Sequence, residues 1–266
     1  MPASLRPLST GELLDRTFVL YRQNFALFTG IAALPYVALG ACQLLLLGGT
    51  RANSVGAAMF TSLAAVALLI GLFVAQGLAH AGTTYAVSAL ALDRPVSIGQ
   101  AYSSVKGRLL TTILVSLLFS FALGIGLVLL IVPGILVLAK YSIGVPVAVL
   151  ENKGVRKSFE RSKQLSQGSG GRILLVYVLL FALMIGISMG LGAVLGLVPF
   201  LRNTVWFAII VRLVVNVLAA PFLTIALTLL YYDQRVRKEA FDIEHMMTTL
   251  QSAGTTASAA AAGVTA

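Results

Sequence analysis

The sequence predicts an all-α, polytopic membrane bundle: six transmembrane helices arranged as three hairpins, each preceded by a cytoplasmic interfacial amphipathic helix. Three observations carry this. Of the 266 residues, 58% are hydrophobic and only 11% charged, against about 25% charged in soluble domains. Six uncharged runs approach or exceed the ~20 apolar residues a helix needs to cross a bilayer. The 19 Lys and Arg, finally, fall almost entirely on one side of those runs.

The spans are expected at about 25–48, 54–75 with an extension to 92, 109–132, 134–150, 173–198 and 204–231. The fourth is short and contains Pro146. The second is so long that its turns from Gln76 onward are expected to leave the hydrocarbon core. With this assignment fifteen of the nineteen cations and all nine acids lie on one side, and only Arg51 and Arg202 on the other. By the positive-inside rule the rich side is cytoplasmic, so both termini face the cytoplasm. The net charge of +10 then reports topology, and nucleic acid is not a partner. The connections expected on the opposite side are minimal: 49–53, a turn at Val132-Pro133-Gly134, and 199–203. The first 24 residues are charged and precede no cleavage-like site, so no signal peptide is read.

An order repeats three times. Ser9-Thr-Gly-Glu12 and Ser97-Ile-Gly-Gln100 are both capping boxes, in which serine accepts from the third amide and Glu or Gln reaches back. They open helices expected at about 9–23 and 97–107. In the first, Leu13, Leu14, Thr17, Phe18, Tyr21 and Phe25 share a face; in the second, Ile98, Ala101, Tyr102, Val105 and Leu109 follow helical spacing. A third helix, about 154–167, sets Val155, Phe159, Ser162 and Ser166 opposite Arg156, Lys157, Glu160, Arg161 and Lys163. Gly107-Arg-Leu-Leu110 and Gly171-Arg-Ile-Leu174 enter the membrane with the same phrase. Helices of this composition suit the anionic headgroup layer. Glycines at 124, 126, 186, 190, 192 and 196, including the GxxxG pair Gly186 and Gly190, are expected to let helices of the bundle touch. Lone Trp206 reads as an interface anchor.

Chemistry-bearing residues are few. Cys42 is the only cysteine, which excludes an intrachain disulfide. His80 and His245 sit in no metal-ligand spacing, and no nucleophile, phosphate-loop or paired-carboxylate motif is present. No enzyme, cofactor or metal is therefore expected. Gln76 and His80 read as polar packing residues. Lys140 in the fourth span and Arg212, with Asn216, in the sixth stand out. Each follows a proline turn and precedes a second proline, Pro146 or Pro221. They are expected about 9 and 12 Å below their turns at 1.5 Å per residue. A buried cation costs about 2.5–3.5 kcal/mol at a helix centre. Lys140, Arg212 and Asn216 are thus candidates for holding an anionic group, a lipid phosphate or a carboxylated solute. Alternatively, the two cations snorkel or bond the carbonyls that the prolines release.

After span six, Val236, Ala240, Ile243, Met247 and Leu250 form an apolar stripe, so a helix is expected over 232–250, closing a single membrane domain of 1–250. Residues 251–266 carry no charge or pattern and are expected to be disordered.

The stretches LRPLSTGELLDRTFVLYRQNF, IVPGILVLAKYSIGVPVAVLENKG, SFERSKQLSQG and LLYYDQRVRKEAFDIEHM together resemble a bacterial polytopic family related to the membrane domain of glycerophosphoryl diester phosphodiesterases. The resemblance covers roughly residues 5–247. It likens Val132-Pro-Gly134 and Lys140-Tyr141 to that family's short turn and basic–aromatic pair. The phosphodiesterase barrel itself takes about 250 residues and has no counterpart here, so the resemblance implies no enzymatic activity. The expected function is that of a non-enzymatic protein of the bacterial inner membrane, handling lipid or an anion, or organising a membrane complex. Its partners would be anionic headgroups on the cytoplasmic face, a second copy or a membrane partner protein. The alternative is a transporter or channel for a small anionic solute or lipid.

Overall fold

The computed structural model describes residues 7–48, 55–197 and 205–239. Those residues are helical with no strand. They contain six helices long and apolar enough to cross a membrane: Phe25–Leu44, Ala58–Ala91, Ile98–Leu129, Ile131–Leu150, Gly170–Val194 and Ile209–Glu239. The 49–53 and 199–203 connections, the Trp206 side chain, and the tail from residue 240 with His245 lie outside the described residues.

Helix α1 (Thr10–Gln23) starts at the capping box read from the sequence. The Ser9 N–H donates to the Glu12 carboxylate at 2.7 Å, and the Glu12 N–H to Ser9 Oγ at 3.2 Å. Leu13 and Thr17 are buried. Tyr21 donates its hydroxyl to the Leu218 carbonyl at 2.6 Å and meets the Phe222 ring edge-on, so the first helix packs on the last. In α2 (Phe25–Gly48), Phe28, Ile31, Ala32 and Tyr36 form one buried stripe.

Helix α3 (Val55–Ala91) is unbroken over 37 residues, about 55 Å at helical rise. Among the residues whose burial is described, its buried positions all lie from Ala75 onward. The stretch from Gln76, expected to leave the hydrocarbon core, is thus the part enclosed by protein. Helix α4 (Ile98–Val105), capped by Ser97 and Gln100, covers it. The Tyr102 hydroxyl reaches the Ile31 carbonyl at 2.6 Å, and the Tyr102 ring and Ile31 crowd Gly82 of α3.

A 3₁₀ turn at Lys106–Arg108 leads into α5 (Leu109–Leu129). The chain then reverses at Leu130, whose backbone is extended (φ −160°, ψ 135°), and α6 begins at once (Ile131–Tyr141). The turn expected at Val132-Pro133-Gly134 is therefore displaced. These residues form the first turn of α6, where proline's missing N–H costs nothing because no intrahelical acceptor would meet it. Gly134 lies against Gly126: a Cβ on Gly126 would sit 2.8 Å from the Gly134 nitrogen. The reversal needs two glycines face to face.

The fourth span is not continuous. After α6 the chain turns at Ser142 and Ile143 and resumes as α7 (Gly144–Leu150). Pro146 lacks the N–H that would bond the Ser142 carbonyl, so the break falls one turn before it. Positions 142–149 are all buried. Helix α8 (Val155–Ser166) buries Ser158, Ser162 and Leu165, with Phe159 edge-on to Tyr141.

Helix α9 (Gly170–Gly196) is buried only as far as Leu180. From 181 onward it has no buried residue among those described, and a Cβ on Gly186, Gly190, Gly192 or Gly196 would meet nothing within 4 Å. Gly124 is equally open. Of the glycines expected to pack within the bundle, only Gly126 does so. The last helix, α10 (Val205–Glu239), runs 35 residues through Pro221.

The main core joins Leu13, Phe28, Ile31, Val87, Ile143, Leu165, Ile173, Ile225 and Leu230. These residues come from α1, α2, α3, α8, α9, α10 and the α6–α7 break. The core occupies the half of the bundle nearest the basic loops, referred to below as the basic end.

Candidate functional site

Lys140 is the tenth residue past Leu130, about 15 Å along the helix at 1.5 Å per residue, not about 9 Å. Its carbonyl accepts from Ser162 Oγ of α8 at 3.0 Å. Its neighbour Ala139 lies 3.6 Å from where a Cβ on Gly170, the first residue of α9, would stand. Lys140 thus belongs to the basic end, and the depth expected from the sequence is corrected because the chain reverses earlier than its proline suggests. The Lys140 side chain is exposed, with no ion pair among the described residues.

Around it, α8 presents cations of two kinds. Arg156, Lys157 and Lys163 are exposed; Arg156 pairs with Glu160 one turn on, at 2.9 Å. Arg161, by contrast, points inward. It donates to both oxygens of Glu151 (3.1 and 3.2 Å) and bonds Glu239 of α10. Glu151 also holds Lys153 at 2.6 Å and accepts from the Tyr231 hydroxyl at 3.0 Å. Glu239 pairs with Arg235, whose guanidinium lies 5.8 Å from the Tyr231 ring centroid. Lys238 caps the other end of α8, donating to the carbonyls of Gln164 and Gln167 at 2.7 Å each.

A second acidic node ties the N-terminal segment down. Asp233 is 2% exposed. Oδ1 accepts from the Leu8 N–H at 2.7 Å, and Oδ2 from Arg172 (2.6 Å) and Arg237 (2.9 Å). Both guanidiniums also donate to the Leu8 carbonyl. One residue of backbone is held through both its polar groups, joining the segment before α1 to the start of α9 and the end of α10. Sequence reasoning missed these nodes. Their only local trace is Asp233-Gln-Arg-Val-Arg-Lys-Glu239, in which Asp233/Arg237 and Arg235/Glu239 are spaced i, i+4.

Burial alone would raise the Glu151 carboxyl pKa. Hydrogen bonds from Lys153 and Arg161, the Arg161 charge and the Tyr231 hydroxyl outweigh it and hold the group below its ordinary 4.5. A depressed carboxyl stabilises the fold above its unfolded-state value and loses that contribution as pH falls through the folded one. Glu151→Gln is therefore expected to cost about 1 kcal/mol at pH 7, small because the site is partly solvated. That deficit should shrink below about pH 4.5 when unfolding midpoints of parent and variant are compared across pH.

Arg212 and Asn216 lie elsewhere. They line a crevice of about 20 Å³ between α2, α3 and α10 with Tyr36, Gln43 and Leu72, room for about one water molecule. The Asn216 side chain donates to the Arg212 carbonyl at 2.8 Å. Lys140 is not part of this crevice; α6 packs on α5, α8 and α9. His80 and Gln76 line a separate interior cavity with Ser116, Ser142 and Tyr177. No group of three His, Cys, Asp or Glu with metal-binding geometry occurs among the described residues.

Comparison with protein-family models, with curated proteins and with solved structures finds no match to this chain.

Proposed function

We propose that this is a non-enzymatic multi-pass protein of the bacterial inner membrane that engages anionic lipid headgroups at its basic end and thereby organises lipid or a membrane complex. In this reading the basic end is cytoplasmic, and α1, α4 and α8 lie at the interface before three transmembrane hairpins. The observation that carries it is the seating of Lys140. Its carbonyl is bonded to Ser162, which seats the exposed Lys140 beside the helix that also exposes Lys157 and Lys163. Such cations attract an anionic membrane surface by about 1 kcal/mol each. The resemblance to the phosphodiesterase membrane-domain family fits a lipid-facing role. A carrier for anions finds less support, because the Arg212 crevice is about 20 Å³ and no Lys or Arg lines the larger cavity.

Native mass spectrometry of protein extracted from mixed phosphatidylglycerol–phosphatidylcholine nanodiscs tests the reading. The parent should retain phosphatidylglycerol preferentially. Replacing Lys140, Lys157 and Lys163 together by alanine should cut that preference by roughly tenfold or more, at about 1 kcal/mol per cation. Equal retention by the triple variant would sink the proposal.

A further inference from the structure

At the centre of the bundle α3, α5, the α6–α7 break, α9 and α10 enclose a cavity of about 200 Å³. Polar groups reach it from four of them: Gln76 and His80, Ser116 and Ser120, Ser142, and Tyr177. Its fifth wall, α10, adds Thr224, which already spends its hydroxyl proton on the Ala220 carbonyl. The Ser116 and Ser142 hydroxyls differ. Both residues are 3% exposed; the Ser116 Oγ has no hydrogen-bond partner, and the Ser142 hydroxyl meets only the Tyr177 hydroxyl of the same cavity. A buried hydroxyl without a partner is costly, and native structures satisfy such groups with water or a ligand. An orphan hydroxyl facing a Ser142–Tyr177 pair, which keeps donor and acceptor capacity to spare, points to an occupant that both donates and accepts.

The wall also defines that occupant's charge and size. No Lys, Arg, Asp or Glu lines the cavity, so an ion entering it would meet no counter-charge, which the low-dielectric interior penalises heavily. Serine and tyrosine hydroxyls with a carboxamide and an imidazole match a molecule carrying several hydroxyls. Pro146 and Leu227 face its carbon skeleton. The volume is below that of drug-sized pockets and near six or seven water volumes. Gln76, His80, Ser120 and Tyr177 are only half-buried, so the cavity is not sealed.

We propose that this cavity is a binding site for a small uncharged polyol, either free in solution or displayed as the glycerol head of a neutral lipid. It is distinct from the cationic surface around Lys140 and selects against charge. The orphan Ser116 hydroxyl of the α5 wall, with Ser142 of the α6–α7 break and Tyr177 of α9, supplies its donors and acceptors.

The test uses protein in nanodiscs with Cys42, the only cysteine, replaced by serine and Ser120→Cys introduced. The rate of modification by methyl methanethiosulfonate, small and neutral, is then measured. For ligands this small, affinities in the millimolar range are expected. Glycerol or erythritol at a concentration near its dissociation constant should slow labelling about twofold. Lactate, of similar size but charged, should not, and Gln76→Leu should abolish the protection. Protection by the free polyols marks a soluble source; protection by monoolein alone marks a lipid headgroup. Absence of protection by glycerol, erythritol and monoolein, or equal protection by lactate, overturns the proposal. Should Ser120→Cys fail to fold, the unfolding midpoint of the otherwise unaltered protein is read against Gln76→Leu. That pairing cancels the general stabilisation that excluded polyols give any protein. A polyol-dependent rise common to both proteins would overturn the site, and a rise larger in the parent would support it.

Discussion

Asp233→Ala is expected to cost about 3 kcal/mol of stability, the lower end of what breaking a buried ion pair costs. The carboxylate is 2% exposed and accepts from Leu8, Arg172 and Arg237. Without it, two guanidiniums converge on the Leu8 carbonyl with no opposing charge. The low end applies because both arginine side chains retain some exposure, 19% and 38%, and can turn toward water. Asp233→Asn should cost less, about 1–2 kcal/mol, since the amide oxygen can still accept the Leu8 N–H. In detergent the alanine variant should melt about 5–10 °C below the parent. Proteolysis should also cut before α1 faster, because that segment is tethered at this node. An alanine variant that melts with the parent would show that the node orders the N-terminus without stabilising the bundle.

Gly126→Val should be the next most damaging change, at about 3 kcal/mol. The added Cβ would stand 2.8–2.9 Å from the Gly134 nitrogen and Cα. Backbone cannot swing aside as a side-chain end can, so α5 and α6 must separate, and overpacking of this kind costs about 1–3 kcal/mol or more. The same replacement at Gly190 meets nothing within 4 Å and should change the unfolding midpoint little. Gly190→Ala should be neutral or slightly stabilising, because alanine is the better helix former by up to about 1 kcal/mol. Thermal melts of the four single variants Gly126→Val, Gly134→Val, Gly190→Val and Gly190→Ala decide this. If Gly190→Val proves as harmful as Gly126→Val, α9 has a partner that a single chain does not provide.

Much of the architecture is legible in one dimension. Five of the six long apolar runs give continuous helices near the expected bounds, because helix formation in such a run needs no outside partner; the fourth is split at Ser142 and Ile143. The two capping boxes are legible for the same reason: donor and acceptor are three residues apart. The helix at Val155–Ser166 is likewise readable from its polar and apolar alternation. The errors have a common form. Val132-Pro-Gly134 carries turn chemistry, yet the reversal lies at Leu130. Proline and glycine are equally acceptable in a helix's first turn, and only the contact with Gly126 fixes the register. Moving the reversal moved Lys140 with it, from a position near Arg212 in depth to one beside α8.

The candidate site was half legible. Lys140 and Arg212 stand out in apolar runs, and the sequence marks both as costly to bury. That they lie in different surroundings depends on which helices become neighbours, a property of sequence-distant pairs. Glu151 and Arg161 are ten residues apart, Arg172 and Asp233 sixty-one, and Leu8 and Asp233 two hundred and twenty-five. No periodicity records such a pairing. Nor does one record the polar cavity, to which each of its five walls contributes a polar residue that in isolation looks like ordinary helix packing.

By itself, then, the sequence determines an all-helical chain with six helices apolar enough to cross a membrane, and where its charge lies along that chain. These follow from the cost of desolvating polar groups, which acts on each segment separately. The tertiary structure alone decides which glycines are contacts, which carboxylates are clamps, and where Lys140 and the uncharged cavity stand. Those outcomes depend on close packing and on Coulomb and hydrogen-bond terms, which fall off within a few ångströms and are settled only when distant segments meet.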